Sequence, residues 1–176
     1  MARVPKNTMS ESVIAERPTK SLFDRVTGYL DANDWHYQSD ASQGFIDLHT
    51  RIKDTSVRVI LDVFQSDDWQ RVLVYSIYPV FVPEGRRTAV LEAINRINYR
   101  LIYGNFELDL SDGELRIRTV VESDAEIPDS MMERAFHSNL STADKFFGPI
   151  IGIAFGNISP EIVLDLEPRK DNEVLQ

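Results

Sequence analysis

The chain has 176 residues, 43% of them hydrophobic, with a formal net charge of −9 and no cysteine. That length holds one domain with a real core, and the acidic balance argues against a nucleic-acid binder, which needs a dense basic face. The absent thiols exclude disulfides, thiolate nucleophiles, Cys-ligated zinc and iron–sulfur clusters.

Residues 1–18 are polar, with no apolar core of signal-peptide length, and are expected to be a disordered N-terminal segment. Thr19 or Ser21 then caps a first helix, in which Leu22, Val26, Tyr29 and Leu30 fall at helical spacing. From Trp35 the period changes to two. A short strand at 35–39 precedes one carrying Ile46, Leu48, Thr50 and Ile52, one carrying Val57, Val59, Leu61 and Val63, and one carrying Val72 and Val74. "KDTS" and "SDDW" read as the hairpin loops between them.

"VPEG" opens a second helix, with Pro83 and Glu84 suited to its first turn. Val90, Ile94, Ile97 and Leu101 form its apolar stripe, and Gly104 is placed to stop it in the left-handed cap conformation. Arg86, Arg87, Arg96 and Arg100 read as a solvated face of that helix. A hairpin of two strands follows. The last helix starts at Pro128 and carries Met131, Met132, Ala135, Phe136 and Leu140. Ser141 and Asp144 are spaced to recap it, Gly148–Pro149 to kink or break it, and Gly156 to end it. Residues 157–176 form an acidic tail that either docks as a short segment or stays mobile. No apolar run approaches the ~18–20 residues of a membrane span, so no membrane partner and a cytoplasmic location are expected.

The hairpin at 105–118 poses the sharpest chemical question, because Glu107 and Asp109 alternate with one residue between them, as do Arg116 and Arg118. A two-residue turn at Asp112–Gly113, a strong hairpin signal, sets Asp109 against Arg116, Leu108 against Ile117 and Glu107 against Arg118. Both carboxylates then have a structural partner, and opposite-charge cross-strand pairs contribute roughly 0.2–1 kcal/mol each. The hairpin is therefore read as structural, not catalytic.

These residues carry a resemblance. "NRINYRLIYGNFELDLSDGELRIR" (95–118) resembles the YbjN family of bacterial proteins, labelled sensory-transduction regulators. The matching positions include Asn95, Asn98, Tyr103, Gly104, Asn105, Phe106, Glu107, Asp109, Asp112, Gly113, Arg116 and Arg118, with a looser likeness over 19–156. The resemblance implies an α+β fold similar to type III secretion chaperones: a twisted antiparallel sheet with helices packed on it, often dimeric, holding partner proteins and not catalysing. It brings no catalytic residues to carry over. Gly148–Pro149 departs from the family pattern.

A two-residue loop at Asp54–Thr55 would put Asp47 opposite Asp62, with His49 nearby, a set able to ligate a divalent metal or share a proton. Like charges directly opposite are unfavourable, and a metal site needs geometry beyond spacing. His36 and His137 read as lone surface histidines. No phosphate loop, dinucleotide fingerprint or nucleophile elbow is present, and no cofactor is expected.

The second face of the sheet is more informative. A turn at Asp67–Asp68 pairs Val63 with Val72 and Leu61 with Val74, which leaves Ile60, Phe64, Leu73, Tyr75 and Ile77 on the opposite side. A sheet with one covered face is normally polar on the other. The cover is a helix of the same chain, a second subunit or a client. The expectation is a non-enzymatic, chaperone-like binding module over 19–156, homodimeric, holding an unidentified protein client through Ile60, Phe64, Tyr75 and Ile77. The alternatives are a small-molecule sensor and a metal-dependent enzyme using Asp47, His49 and Asp62.

Overall fold

The computed structural model describes residues 20–165. The expected disordered segment 1–18, the alternative cap Thr19 and tail residues 166–176 lie outside the described residues. Helix α1 spans Leu22–Ala32. Ser21 caps it with a full capping box, its hydroxyl accepting from the Asp24 N–H and the Asp24 carboxylate accepting from the Ser21 N–H.

Six strands follow the two-residue periods of the sequence: β1 Tyr37–Asp40, β2 Phe45–Arg51, β3 Ser56–Gln65, β4 Gln70–Phe81, β5 Asn105–Leu108 and β6 Glu114–Ser123. They form one sheet in the order β1-β2-β3-β4-β6-β5, every neighbouring pair antiparallel. Helix α2 spans Arg87–Asn98 and α3 spans Asp129–Phe155. The fold class is α+β.

All three helices lie on one face. Val57, Val59, Leu61, Val72, Val74, Leu115 and Ile117 point into the core with Leu22, Leu30, Ile97, Phe136 and Ile150 from the helices. Polar groups within this core are satisfied. Asn139 of α3, fully buried, donates to the carbonyls of Val74 and Ile117 and to the Thr119 hydroxyl, and accepts from Ser76 at 2.6 Å. Tyr78 donates to the Ala143 carbonyl at 2.6 Å. Unpaired, these groups would cost about 1–3 kcal/mol each, so the network fixes how α3 sits on β4 and β6.

Two helix ends differ from the sequence expectation. α2 stops at Asn98, not at Gly104. Gly104 has φ +72° but works at the sheet, where a Cβ would lie 2.6 Å from the Thr119 hydroxyl and 2.7 Å from the Arg118 carbonyl oxygen. α3 runs unbroken through Gly148–Pro149. An internal proline costs about 3 kcal/mol, but Phe146, Ile150 and Ile153 bury side chains on both sides of it, and fully burying one such side chain is worth about 1.5–3 kcal/mol. The Ser141–Asp144 recap is not used either: Asp144 accepts from the Lys53 N–H at 2.7 Å.

The end of α3 is capped from outside the helix. Arg86 donates to the Ile153 and Ile158 carbonyls, a cation at the negative end of the helix dipole. Beyond it the chain docks through Ile158, the fully buried Val163 and Leu164, around a 3₁₀ turn at Pro160–Ile162. Among the described residues no helix is long and apolar enough to cross a membrane.

Candidate protein-binding surface

The second face of the sheet is left uncovered by every described element. The β3–β4 register pairs Val63 with Val72, Leu61 with Val74 and Ile60 with Tyr75, a consequence of the turn at Asp67–Asp68, closed by the Ser66 N–H to Trp69 carbonyl bond at 3.0 Å. Ile60, Leu73, Tyr75 and Ile77 are half-buried on this face and Phe64 is exposed. A helix of the same chain as cover, one of the three options the sequence allowed, is ruled out among the described residues.

The sequence missed Val120, which is half exposed and sits opposite Leu73. Its place depends on the β4–β6 pairing, which joins two hairpins distant in sequence and leaves no local signal. The same pairing brings Arg118 opposite Tyr75 and Arg116 opposite Ile77, with the Arg116 guanidinium carbon 4.8 Å from the Tyr75 ring centre. At the far corner, Phe64 and Trp69 stack at 4.4 Å with the Arg71 guanidinium over both rings. Trp69 is thus part of an aromatic cluster at the hairpin tip.

Most charged side chains of this face are paired within the chain. Arg58 binds Asp47 at 2.7 Å, Arg71 binds Asp62 at 3.3 Å, and Glu107 is shared by Arg116 at 2.9 Å and Arg118 at 3.2 Å. The hydrogen bonds that Arg58 donates to the Asp47 carboxylate hold its guanidinium above its ordinary range. At Arg116 burial pulls down, but the Glu107 hydrogen bond and charge outweigh it and the shift is upward. Exposed ion pairs of this kind are worth little individually.

Two registers expected from sequence are corrected here. The β2–β3 turn sits one residue earlier, at Lys53–Asp54, closed by the Ile52 N–H to Thr55 carbonyl bond. That shifts partners by two, so Asp47 faces Ile60, His49 faces Arg58 and Asp62 faces Phe45. The like-charge pair is avoided, and Asp47 and Asp62 are each claimed by a different arginine. Among the described residues no three His, Cys, Asp or Glu side chains are grouped to hold a metal. His36 and His49 line one open groove beside β1, and His137 is hydrogen-bonded to the Tyr29 hydroxyl at 2.7 Å.

The β5–β6 loop is likewise longer than two residues. Glu107 faces Arg116 and Leu108 faces Leu115. Asp109 does not face Arg116. It closes the loop through its main chain, with its N–H on the Glu114 carbonyl and its carbonyl taking the Gly113 N–H, both at 2.9 Å. Its carboxylate accepts from the Ser111 hydroxyl and N–H, which hold it below the usual carboxylate range. Asp112 accepts from the Glu114 N–H at 2.8 Å. Side-chain turns of this type compete with the tighter loop, and the shift by two keeps Glu107 and both arginines on one face.

The arrangement can bury apolar area against another surface. The model of the YbjN family, described as "Putative bacterial sensory transduction regulator", matches residues 22–151. No curated protein matches the chain.

Proposed function

Because the chain belongs to the YbjN family, a family of regulators, we propose that it is a cytoplasmic, non-enzymatic regulatory module that acts by binding protein through the open face of its sheet, with a chaperone-like mode of holding its partner. The single observation that carries this reading is the uncovered row of Ile60, Leu73, Tyr75, Ile77 and Val120 on a sheet whose other face holds all three helices. Contiguous exposed apolar surface is a feature of interaction sites. Ile60, Phe64, Tyr75 and Ile77 are the contact residues. Binding there gains roughly 25 cal/mol per Å² of apolar area before the costs of association.

The test is affinity capture of the tagged full chain from its host lysate, beside an Ile60→Asp/Tyr75→Asp variant whose circular dichroism matches the parent. Each captured protein is then purified and titrated against both. A partner that binds the parent and loses at least about tenfold in affinity for the variant supports the reading. Partners bound equally by both, or none at all together with a monomeric parent, sink it.

A further inference from the structure

The open face is electrically unlike the rest of the chain. Over β2 to β6 its alternating positions carry five arginines, Arg51, Arg58, Arg71, Arg116 and Arg118. Against them stand five carboxylates: Asp47, Asp62, Glu107 and Glu114, which bind arginines within the chain, and Glu122, which faces Arg71. Over β2 to β6 the face is therefore neutral; β1 adds one carboxylate, Asp40, opposite Phe45, so nearly all of the chain's net charge of −9 lies off it. Two copies of so acidic a chain repel each other over most of their surface. On this face they can bring apolar side chains together without uncompensated charge.

Neutrality also selects the kind of partner. A strongly basic or acidic partner finds no excess of opposite charge here. A second copy brings the same alternation of arginine, carboxylate and apolar side chain, which is the self-complementarity a two-fold interface needs. The size fits as well. The strands are unequal, from four residues in β1 and β5 to twelve in β4; at about 3.3 Å per residue and about 4.8 Å between strands the face covers roughly 750 Å². A stable interface buries about 800 Å² on each partner.

We propose that a second copy of this chain covers the open face, sheet against sheet, with Ile60, Leu73, Tyr75 and Val120 at the seam. This rests on the protein-binding reading above and names the partner.

The experiment is sedimentation velocity of the full chain from about 1 to about 100 μM, parent beside Leu73→Asp. The expected mass for the parent is twice 20.1 kDa, with self-association of the variant weakened by at least about 100-fold. Because Leu73→Asp risks misfolding, a second measurement uses the absence of cysteine. Nitroxide labels are placed singly at His49→Cys on the open face and at Glu133→Cys on α3, and inter-copy distances are read by pulsed EPR. Facing sheets pack about 10 Å apart, so the His49 labels should lie closer together than the Glu133 labels. A monomeric parent, or the reverse order of distances, overturns the proposal. A monomeric parent that still binds another protein in a face-dependent way overturns the dimer alone; a monomer that binds nothing overturns the binding reading too.

Discussion

Asn98 and Phe106 hold each other through a reciprocal pair of hydrogen bonds. The Phe106 N–H donates to the Asn98 side-chain oxygen at 2.8 Å, and the Asn98 amide donates to the Phe106 carbonyl at 3.1 Å. Phe106 is on β5, at the edge of the sheet. The last residue of α2 thus supplies the two bonds that a further strand would make, and blocks that edge against pairing with another chain. Asn98→Ala should cost about 1–3 kcal/mol, read as a lower urea midpoint at unchanged slope. Asn98→Asp keeps the acceptor and loses the donor, and should fall between the two.

Asn139 is the polar centre of the helix–sheet junction. Asn139→Ala removes the partner of Ser76 and Thr119 inside the buried core, and should destabilise by about 2–4 kcal/mol. Asn139→Asp should be worse still, because a carboxylate cannot donate to the Val74 and Ile117 carbonyls. Urea titration ranks the three proteins, and an Ala variant as stable as the parent would show that buried water satisfies the site.

Tyr78 predicts how the fold responds to base. Burial, with a smaller contribution from the charge of Asp144, pushes its phenol far above the ordinary value of 10.0. In the unfolded chain the phenol ionises near pH 10; in the folded chain it stays neutral. The stability gained from keeping it neutral is complete below pH 10 and is lost as pH rises from there toward the folded value. Tyr78→Phe should cost about 0.5–1.5 kcal/mol at pH 7, from the lost bond to the Ala143 carbonyl. The gap between the two proteins should narrow above pH 10. Parallel melting curves across the alkaline range check it; a constant gap rules it out.

The sheet was legible in the sequence wherever the period-two pattern met a short turn with one solution, as at Asp67–Asp68. Registers slipped by two where aspartates and serines offered side-chain turns, at 109–114, and where neighbouring turn positions were equally plausible, at 53–55. A slip of two leaves every side chain on its own face, so the apolar core was right while the proposed Asp47–Asp62 pair was not. The half of the open face contributed by β6 was hidden because β4 and β6 are joined across α2 and β5. Helix α3 misled for a different reason: Gly148–Pro149 is a strong local stop, and tertiary burial overrode it.

Gly113 offers a test of backbone necessity with its own control. It has φ +92°, and a Cβ there would lie 2.3 Å from the Val82 carbonyl oxygen and 2.9 Å from the Val82 nitrogen. Both are main-chain atoms, and the Val82 N–H already donates to the Gly113 carbonyl at 2.8 Å, so neither side can give way cheaply. Gly113→Ala should cost at least about 2 kcal/mol, from the disfavoured dihedral and the displaced end of β4 together. Gly28, in the middle of α1, has nothing within 4 Å of the equivalent position and no positive φ. Gly28→Ala should therefore stabilise by about 0.5–1 kcal/mol through helix propensity. Opposite signs for one substitution at two glycines would be read directly from paired urea midpoints. Two shifts of the same sign would mean that the contact between Gly113 and Val82 does not constrain the loop.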